Sequence, residues 1–177
     1  MVVGALGKCG GGACDLAEKV GIADKNIVKW DRQETQQAGN GPYECILGVD
    51  IFINCVYLNP QDTSSPRFLT PQLLDSGAGV LSVICDVSCD VGSAKHPLPV
   101  YNSNTTFDKP TVKVQTSDGG CVHVVSIDHL PSLLPKESSQ RFSADLLPTL
   151  LELKQREKAR VWTDAEQIFR QKLNELP

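Results

Sequence analysis

The sequence predicts an α/β protein built on an open, mostly parallel sheet with helices on its faces. Three observations carry that prediction. Short apolar runs rich in β-branched residues, at 2–5, 26–30, 50–58 and 80–87, are separated by stretches of different character, some of them helical. The connections are short, which is the pattern of β-α-β units. The run DIFINCVYL at 50–58 carries no charge after Asp50, the mark of a strand buried on both faces.

The elements follow in order. Residues 2–5 form a short strand that Gly4, Gly7, Gly10, Gly11 and Gly12 break. Residues 13–20 are helical and Gly21 stops them. NIVKW at 26–30 is a second strand, closed by Asp31, and 32–48 are polar and glycine-rich with weak patterning. The third strand is 50–58 and a loop spans 60–66. Thr70-Pro71 reads as an N-cap followed by proline at the first helical position, and Gly77 and Gly79 end that helix. VLSVICDV at 80–87 is a fourth strand, and 88–110 are a long loop. Residues 111–115 and 121–127 are strands joined by Ser117-Asp118-Gly119-Gly120, a hairpin signal. After Pro135 the composition shifts to amphipathic helices at 142–153 and 164–173. The expected organisation is a dinucleotide-binding domain at 1–137 and a helical segment at 138–177.

Composition narrows the function. The 177 residues suffice for one core, with 41% hydrophobic and 21% charged residues. A net charge of -4 without a Lys/Arg run leaves no footprint for nucleic acid. No apolar run is long enough to span a bilayer, and no secretory signal opens the chain, so a cytoplasmic protein is expected. The seven cysteines form no paired knuckles and no metal site is expected; reduced, mostly buried thiols are the plainer reading.

The candidate site begins at Gly4-Ala5-Leu6-Gly7-Lys8-Cys9-Gly10, a GxxGxxG turn. Glycine serves where the backbone turns sharply, approaches a pyrophosphate, or lets helix pack close on strand. The helix that follows offers its free N–H groups to phosphate. A glycine-rich surface turn has the same look. Asp31 ends the second strand, 21 residues after Gly10, where a carboxylate accepts the adenosine ribose hydroxyls and repels a 2′-phosphate. This favours NAD over NADP, although Arg32 follows directly; the alternative for Asp31 is a cap. Ligands of such Rossmann-like, doubly wound sheets sit beyond the strands' carboxyl ends. Those ends bring in Tyr57, which either packs on a cofactor or caps the core, and Ile127-Asp128-His129. Asp128-His129 either holds a nicotinamide ribose or begins a helix. His96 and His123 read as structural. Cys9 and Cys55 are expected close together at the crevice, and a disulfide between them would alter binding there.

VVGALGKCGGGACDL, NIVKWD, DIFINCVYL, ICDVSCD, HPLPVY and above all SIDHLPSLLPKES resemble the NAD-dependent, lysine-forming saccharopine dehydrogenases of the fungal type, over essentially the whole chain. The resemblance implies oxidation of saccharopine by NAD, with hydrolysis to lysine and 2-oxoglutarate, the last step of lysine biosynthesis by the aminoadipate pathway. It implies cofactor contacts at Gly7, Lys8, Asp31, Thr35, Tyr57, Val87, Ile127, Asp128, His129 and Leu130; Thr35, Val87 and Leu130 enter only through it. It implies a monomer when complete, whose N-terminal segment builds most of a substrate domain and supplies a catalytic Lys and His pair. This chain starts at the dinucleotide-binding strand, so no catalytic residue is expected in it. The helices after 137 resemble the part that returns to that domain. The chain alone is then expected to bind NAD weakly or not at all, to turn over no saccharopine, and to expose Leu146, Leu147, Leu150 and Leu153. The alternative is a non-catalytic nucleotide-binding module of the same descent.

Overall fold

The computed structural model describes residues 1–57, 66–77, 79–89, 91–93 and 96–176. Leu58 at the end of the predicted third strand, most of the 60–66 loop, and residues 90, 94 and 95 of the 88–110 loop lie outside the described residues. The chain divides into two compact units, Met1–Asp128 and His129–Pro177.

The first unit holds a six-stranded sheet. Its strands are β1 (Val2–Val3), β2 (Lys29–Trp30), β3 (Ile51–Asn54), β4 (Val83–Asp86), β5 (Val112–Gln115) and β6 (Cys121–Val125). The spatial order is β2-β1-β3-β4-β6-β5. All neighbours run parallel except β5, which pairs antiparallel with β6 through the predicted hairpin. There Gly119 takes φ +86 and Thr116 N–H donates to the Gly120 carbonyl at 3.0 Å. The α/β class read from the sequence is the observed one.

Side chains alternate across each strand and so sort the core. Val3, Phe52, Ile84 and Val124 point to one face and join Ile46, Phe68, Leu69 and Leu98 in the main cluster. Val2 points to the other and meets Ala5, Cys14 and Ile53 beneath helix α1 (Lys8–Lys19). The expectation that the third strand is buried on both faces needs correction. Phe52 and Asn54 are fully buried, but on the opposite face α1 covers Ile53 and leaves Ile51 44% exposed. The second strand is also shorter than predicted, because β1 offers only two residues to pair. Val2 N–H donates to the Val28 carbonyl and Gly4 N–H to that of Trp30, after which the chain turns away. Residues Asp24–Asn26 wind as a 3-10 turn instead.

Helix α2 (Arg32–Ala38) occupies part of the stretch read as weakly patterned. Helix α3 (Pro71–Leu74) starts as predicted, with the Thr70 hydroxyl accepting from Leu73 N–H at 3.3 Å. Thr70→Ala should therefore cost about 1 kcal/mol. Denaturant midpoints of the two proteins check this, and equal midpoints would count against the cap.

The second unit contains a 3-10 turn (Leu130–Leu133), α4 (Pro135–Leu151), a second 3-10 turn (Glu152–Gln155) and α5 (Arg160–Asn174). Both helices begin earlier than the apolar pattern predicts. Pro135 opens α4 at a position where proline loses no hydrogen bond. Trp162 Nε1–H donates to the Thr149 carbonyl at 3.0 Å and ties α5 to α4. Pairs such as Arg141–Asp145 and Arg170–Glu166 lie four residues apart on exposed faces, where each adds only tenths of a kcal/mol. Leu147, Leu150 and Leu153 are exposed as expected, joined by Phe142 and Phe169, while Leu146 is half-buried.

Candidate functional site

The site starts where β1 stops. Gly4 takes φ +83, a conformation that side chains disfavour, and a Cβ there would lie 2.8 Å from the Cys55 carbonyl oxygen. The N–H groups of Gly4 and Ala5 both donate to the Trp30 carbonyl, at 2.9 and 3.0 Å. The turn is thus clamped between β2 and β3. Gly7 is the N-cap of α1 and supplies no side chain to the helix's first turn. The positive end of α1 is therefore left open at the turn. Gly10 is buried and brings α1 against the backbone of Gly4 and Ala5.

Asp31 sits at the end of β2 and does two things at once. Its Oδ2 accepts from Leu6 N–H at 2.9 Å, joining the glycine turn to the second strand. Its Oδ1 accepts from Arg32 N–H at 2.8 Å; its side chain also accepts from Glu34 N–H while Asp31 N–H donates to Glu34 Oε2 at 2.7 Å, the two halves of a capping box for α2. The cap alternative for Asp31 is realised, and it coexists with a place in the cleft. A carboxylate has about four acceptor positions, so these bonds leave capacity for hydroxyl donors. The pattern Asp31-x-x-Glu34 is the sequence signal for α2. The Thr35 hydroxyl donates to the carbonyls of Asp31 and Arg32, both at 3.0 Å, so it faces a ligand chiefly as an acceptor.

A cleft of ≈ 770 Å³ opens over these groups, lined among others by Gly4, Gly7, Asp31, Thr35, Cys55 and Tyr57. It lies at the carboxyl ends of β1, β2 and β3, where the chain passes from β1 to β2 on one side and then crosses back to β3 on the other side of β1. That reversal is the topological switch point at which open α/β sheets take ligands. The Tyr57 side chain is out in the solvent, 83% exposed, so it is not a cap on the core.

Four predicted residues, Gly7, Asp31, Thr35 and Tyr57, thus line one cleft, and Lys8 is exposed beside Gly7. Val87, Ile127 and Asp128 stand just past the ends of β4 and β6 and are not part of its lining. Ile127 is buried and Asp128 exposed. His129 and Leu130 fall in the second unit. The alternative in which Asp128 caps the following turn is not met: His129 holds the cap position, without a side-chain cap bond. His96 is buried with its ring edge-on to Tyr101 at 4.9 Å, and His123 lies within β6.

All seven cysteines are free thiols, so the structure has no Cys9–Cys55 cross-link. Cys9 lies in the first turn of α1 rather than at a strand end, and is exposed; Cys55 is half-buried beside the glycine turn. Burial pushes the Cys55 thiol up to about 12 from 9.0, with smaller contributions from Cys9 and Cys85, and burial raises Cys85 to about 11. Both thiols bind protons more tightly folded than unfolded. Stability should fall as pH rises above 9, where the unfolded thiols ionise first, until the folded ones follow near 11 and 12. Because the thiolate is the nucleophile, iodoacetamide at pH 8 should label exposed Cys9 and Cys121 well before Cys55. Mass-spectrometric mapping of a time course checks this, and early labelling of Cys55 would contradict it.

Known proteins resemble this chain over nearly its whole length. The chain is 50% identical over 181 residues to a saccharopine dehydrogenase (NAD(+), L-lysine-forming) of Emericella nidulans, taking in 100% of this chain and 47% of that protein. It is 52% identical over 169 residues to the enzyme of that name from Yarrowia lipolytica, covering 96% of this chain and 44% of that one. For the Schizosaccharomyces pombe protein of that name the identity is 47% over 177 residues, covering 99% and 47%. The chain spans about half the length of the curated relatives it matches. The resemblance drawn from SIDHLPSLLP and its companion motifs thus holds across the chain. Residues 13–175 match the alanine dehydrogenase/PNT, C-terminal domain, and the chain belongs to that family.

Proposed function

We propose that this chain is the NAD-binding part of a lysine-forming saccharopine dehydrogenase. The observation that supports it best is the cleft at the switch point, where an uncapped helix start, a strand-end carboxylate and an exposed aromatic ring face one volume of ≈ 770 Å³. Cofactor clefts run from roughly 300 to 1,000 Å³, so the residues present fit a dinucleotide.

In this reading the first-turn N–H groups of α1, with Gly7 and Lys8, hold the pyrophosphate. Asp31 accepts the adenosine ribose hydroxyls with the acceptor capacity its backbone bonds leave, and Thr35 stands next to it. Tyr57 covers the cofactor from the β3 side. Val87, Ile127 and Asp128 serve its nicotinamide end; His129 and Leu130 join them on the strength of the family resemblance. NAD+, when bound, accepts the hydride removed from saccharopine; hydrolysis of the oxidised amine yields lysine and 2-oxoglutarate. The groups that move protons and grip the substrate's carboxylates belong to the rest of the full-length enzyme, and the helices after residue 137 belong to its substrate side. The full-length enzyme in this reading is a monomer in the cytoplasm, a compartment that keeps thiols reduced.

Titration calorimetry with NADH and NADPH tests the reading. NADH should bind this chain weakly, yet at least about tenfold more tightly than NADPH, because Asp31 repels a 2′-phosphate. The chain alone should reduce no NAD+ in the presence of saccharopine. Absence of NADH binding would overturn the cofactor assignment, and steady turnover would overturn the division of labour.

A further inference from the structure

Behind the cleft, in the same unit, lies a buried polar cluster that the nucleotide reading does not use. Its centre is Asp86, the last residue of β4, which is 1% exposed. Four donors converge on its carboxylate. Asn54 Nδ2–H reaches Oδ1 at 2.9 Å and the Tyr101 hydroxyl reaches Oδ2 at 2.7 Å. Ser88 N–H and Cys89 N–H reach Oδ1 at 3.2 and 3.3 Å. Ser126, fully buried just after β6, donates its hydroxyl to the Tyr101 oxygen at 2.9 Å. Among the described residues no ion pair includes Asp86.

A buried carboxylate met only by hydrogen bonds is costly unless its partners are fixed, and here they come from the end of β3, the turn after β4 and the Tyr101 loop, with Ser126 after β6 holding the Tyr101 hydroxyl. Each strand-end member stands directly before a segment that faces the proposed cofactor. Asn54 ends β3, and its Oδ1 accepts from Val56 N–H at 3.2 Å, beside Tyr57. Asp86 precedes Val87 and Ser88, and the Ser88 hydroxyl donates to the Val56 carbonyl at 2.6 Å, closing the link between the two strand ends. Ser126 precedes Ile127 and Asp128. Cys89 takes φ +53, a strained conformation for a side chain other than glycine, and the cluster holds it through its N–H. None of these bonds reaches Asp31 or the glycine turn.

We infer that Asp86, with Asn54, Tyr101 and Ser126, is a positioning cluster that locks the ends of β3, β4 and β6 into one rigid shelf for the nicotinamide half of the cofactor. The inference rests on the NAD-binding reading. It divides the site in two: β1 and β2 hold the adenosine diphosphate half, and the Asp86 shelf sets the other half. A supporting shell of this kind acts through the residues it orients, and small displacements of them weaken binding strongly.

The test compares NADH with ADP, which lacks the nicotinamide half. Titrate both into the full chain, wild type and Asp86→Asn, with Tyr101→Phe and Ser126→Ala as milder variants that remove one hydroxyl each. The Asn side chain keeps an acceptor for Asn54 and loses the one for Tyr101. The expected result is a rise in the NADH Kd of roughly tenfold for Asp86→Asn and a smaller rise for the other two, with the ADP Kd within about twofold of wild type. A variant that is merely less stable would weaken both ligands together, so the ratio of the two constants separates positioning from general damage. An unchanged ratio in the folded variants overturns the inference and leaves the NAD reading standing. Wild-type protein that binds neither ligand overturns both.

Discussion

Gly10→Ala should weaken the fold and abolish nucleotide binding, while Gly12→Ala, two residues along the same helix, should stabilise the protein. A methyl on Gly10 would fall on the Gly4 carbonyl oxygen and within 2.8 Å of the Ala5 Cα. These are backbone atoms of the turn itself, so the helix has to move. Lifting α1 uncovers the small cluster of Val2, Ala5 and Cys14 and pulls the open helix end away from the cleft. Overpacking of this kind costs about 1–3 kcal/mol, against a helix-propensity gain of about 1 kcal/mol for losing glycine. At Gly12 a Cβ meets nothing within 4 Å, so only the gain remains. Urea midpoints and NADH titration measure both. Equal and favourable shifts for the two substitutions would show that close packing of α1 on β1 is not what position 10 provides.

Asp31 carries the second large effect, because stability and recognition meet in one carboxylate. Asp31→Ala removes the acceptors for Leu6 and Arg32 N–H and breaks the capping box, a loss of about 1–2 kcal/mol. NADH binding should fall with it, since the glycine turn loses its tie to β2. Asp31→Asn separates the two roles. The amide oxygen still caps, so most of the stability should return. The negative charge is gone, so the preference for NADH over NADPH should shrink by about tenfold. Calorimetry with both nucleotides decides it: an Asn variant that discriminates as well as the wild type would remove Asp31 from cofactor selection.

The same residue shows how far the site was legible. GxxGxxG followed by Asp31 fixed the position of the cleft, because sharp turns and close helix packing can be met only by glycine at Gly4 and Gly10. Tyr57 could be placed at a strand end but not on a side of it; its exposure depends on what the neighbouring strand and loop leave uncovered. The Asp86 cluster was not legible at all. Asn54, Asp86, Tyr101 and Ser126 are far apart in sequence, and their trace is a polar residue within an apolar run, Asn54 in 50–58 and Asp86 in 80–87.

Local chemistry therefore determined the class of the protein. Residues that set backbone shape, such as Gly4, Gly119 and Thr70, act within a few positions of themselves, and alternation along a strand states which faces are buried. The six-stranded order, the short β2 and the open Ile51 were decided only by the tertiary structure. Strand length depends on how many residues the neighbour offers, and burial depends on whether a helix lies over that stretch. The buried polar cluster follows the same rule: a carboxylate at the end of β4 becomes a structural centre only when β3 and the Tyr101 loop bring it donors and Ser126, just after β6, holds the Tyr101 hydroxyl.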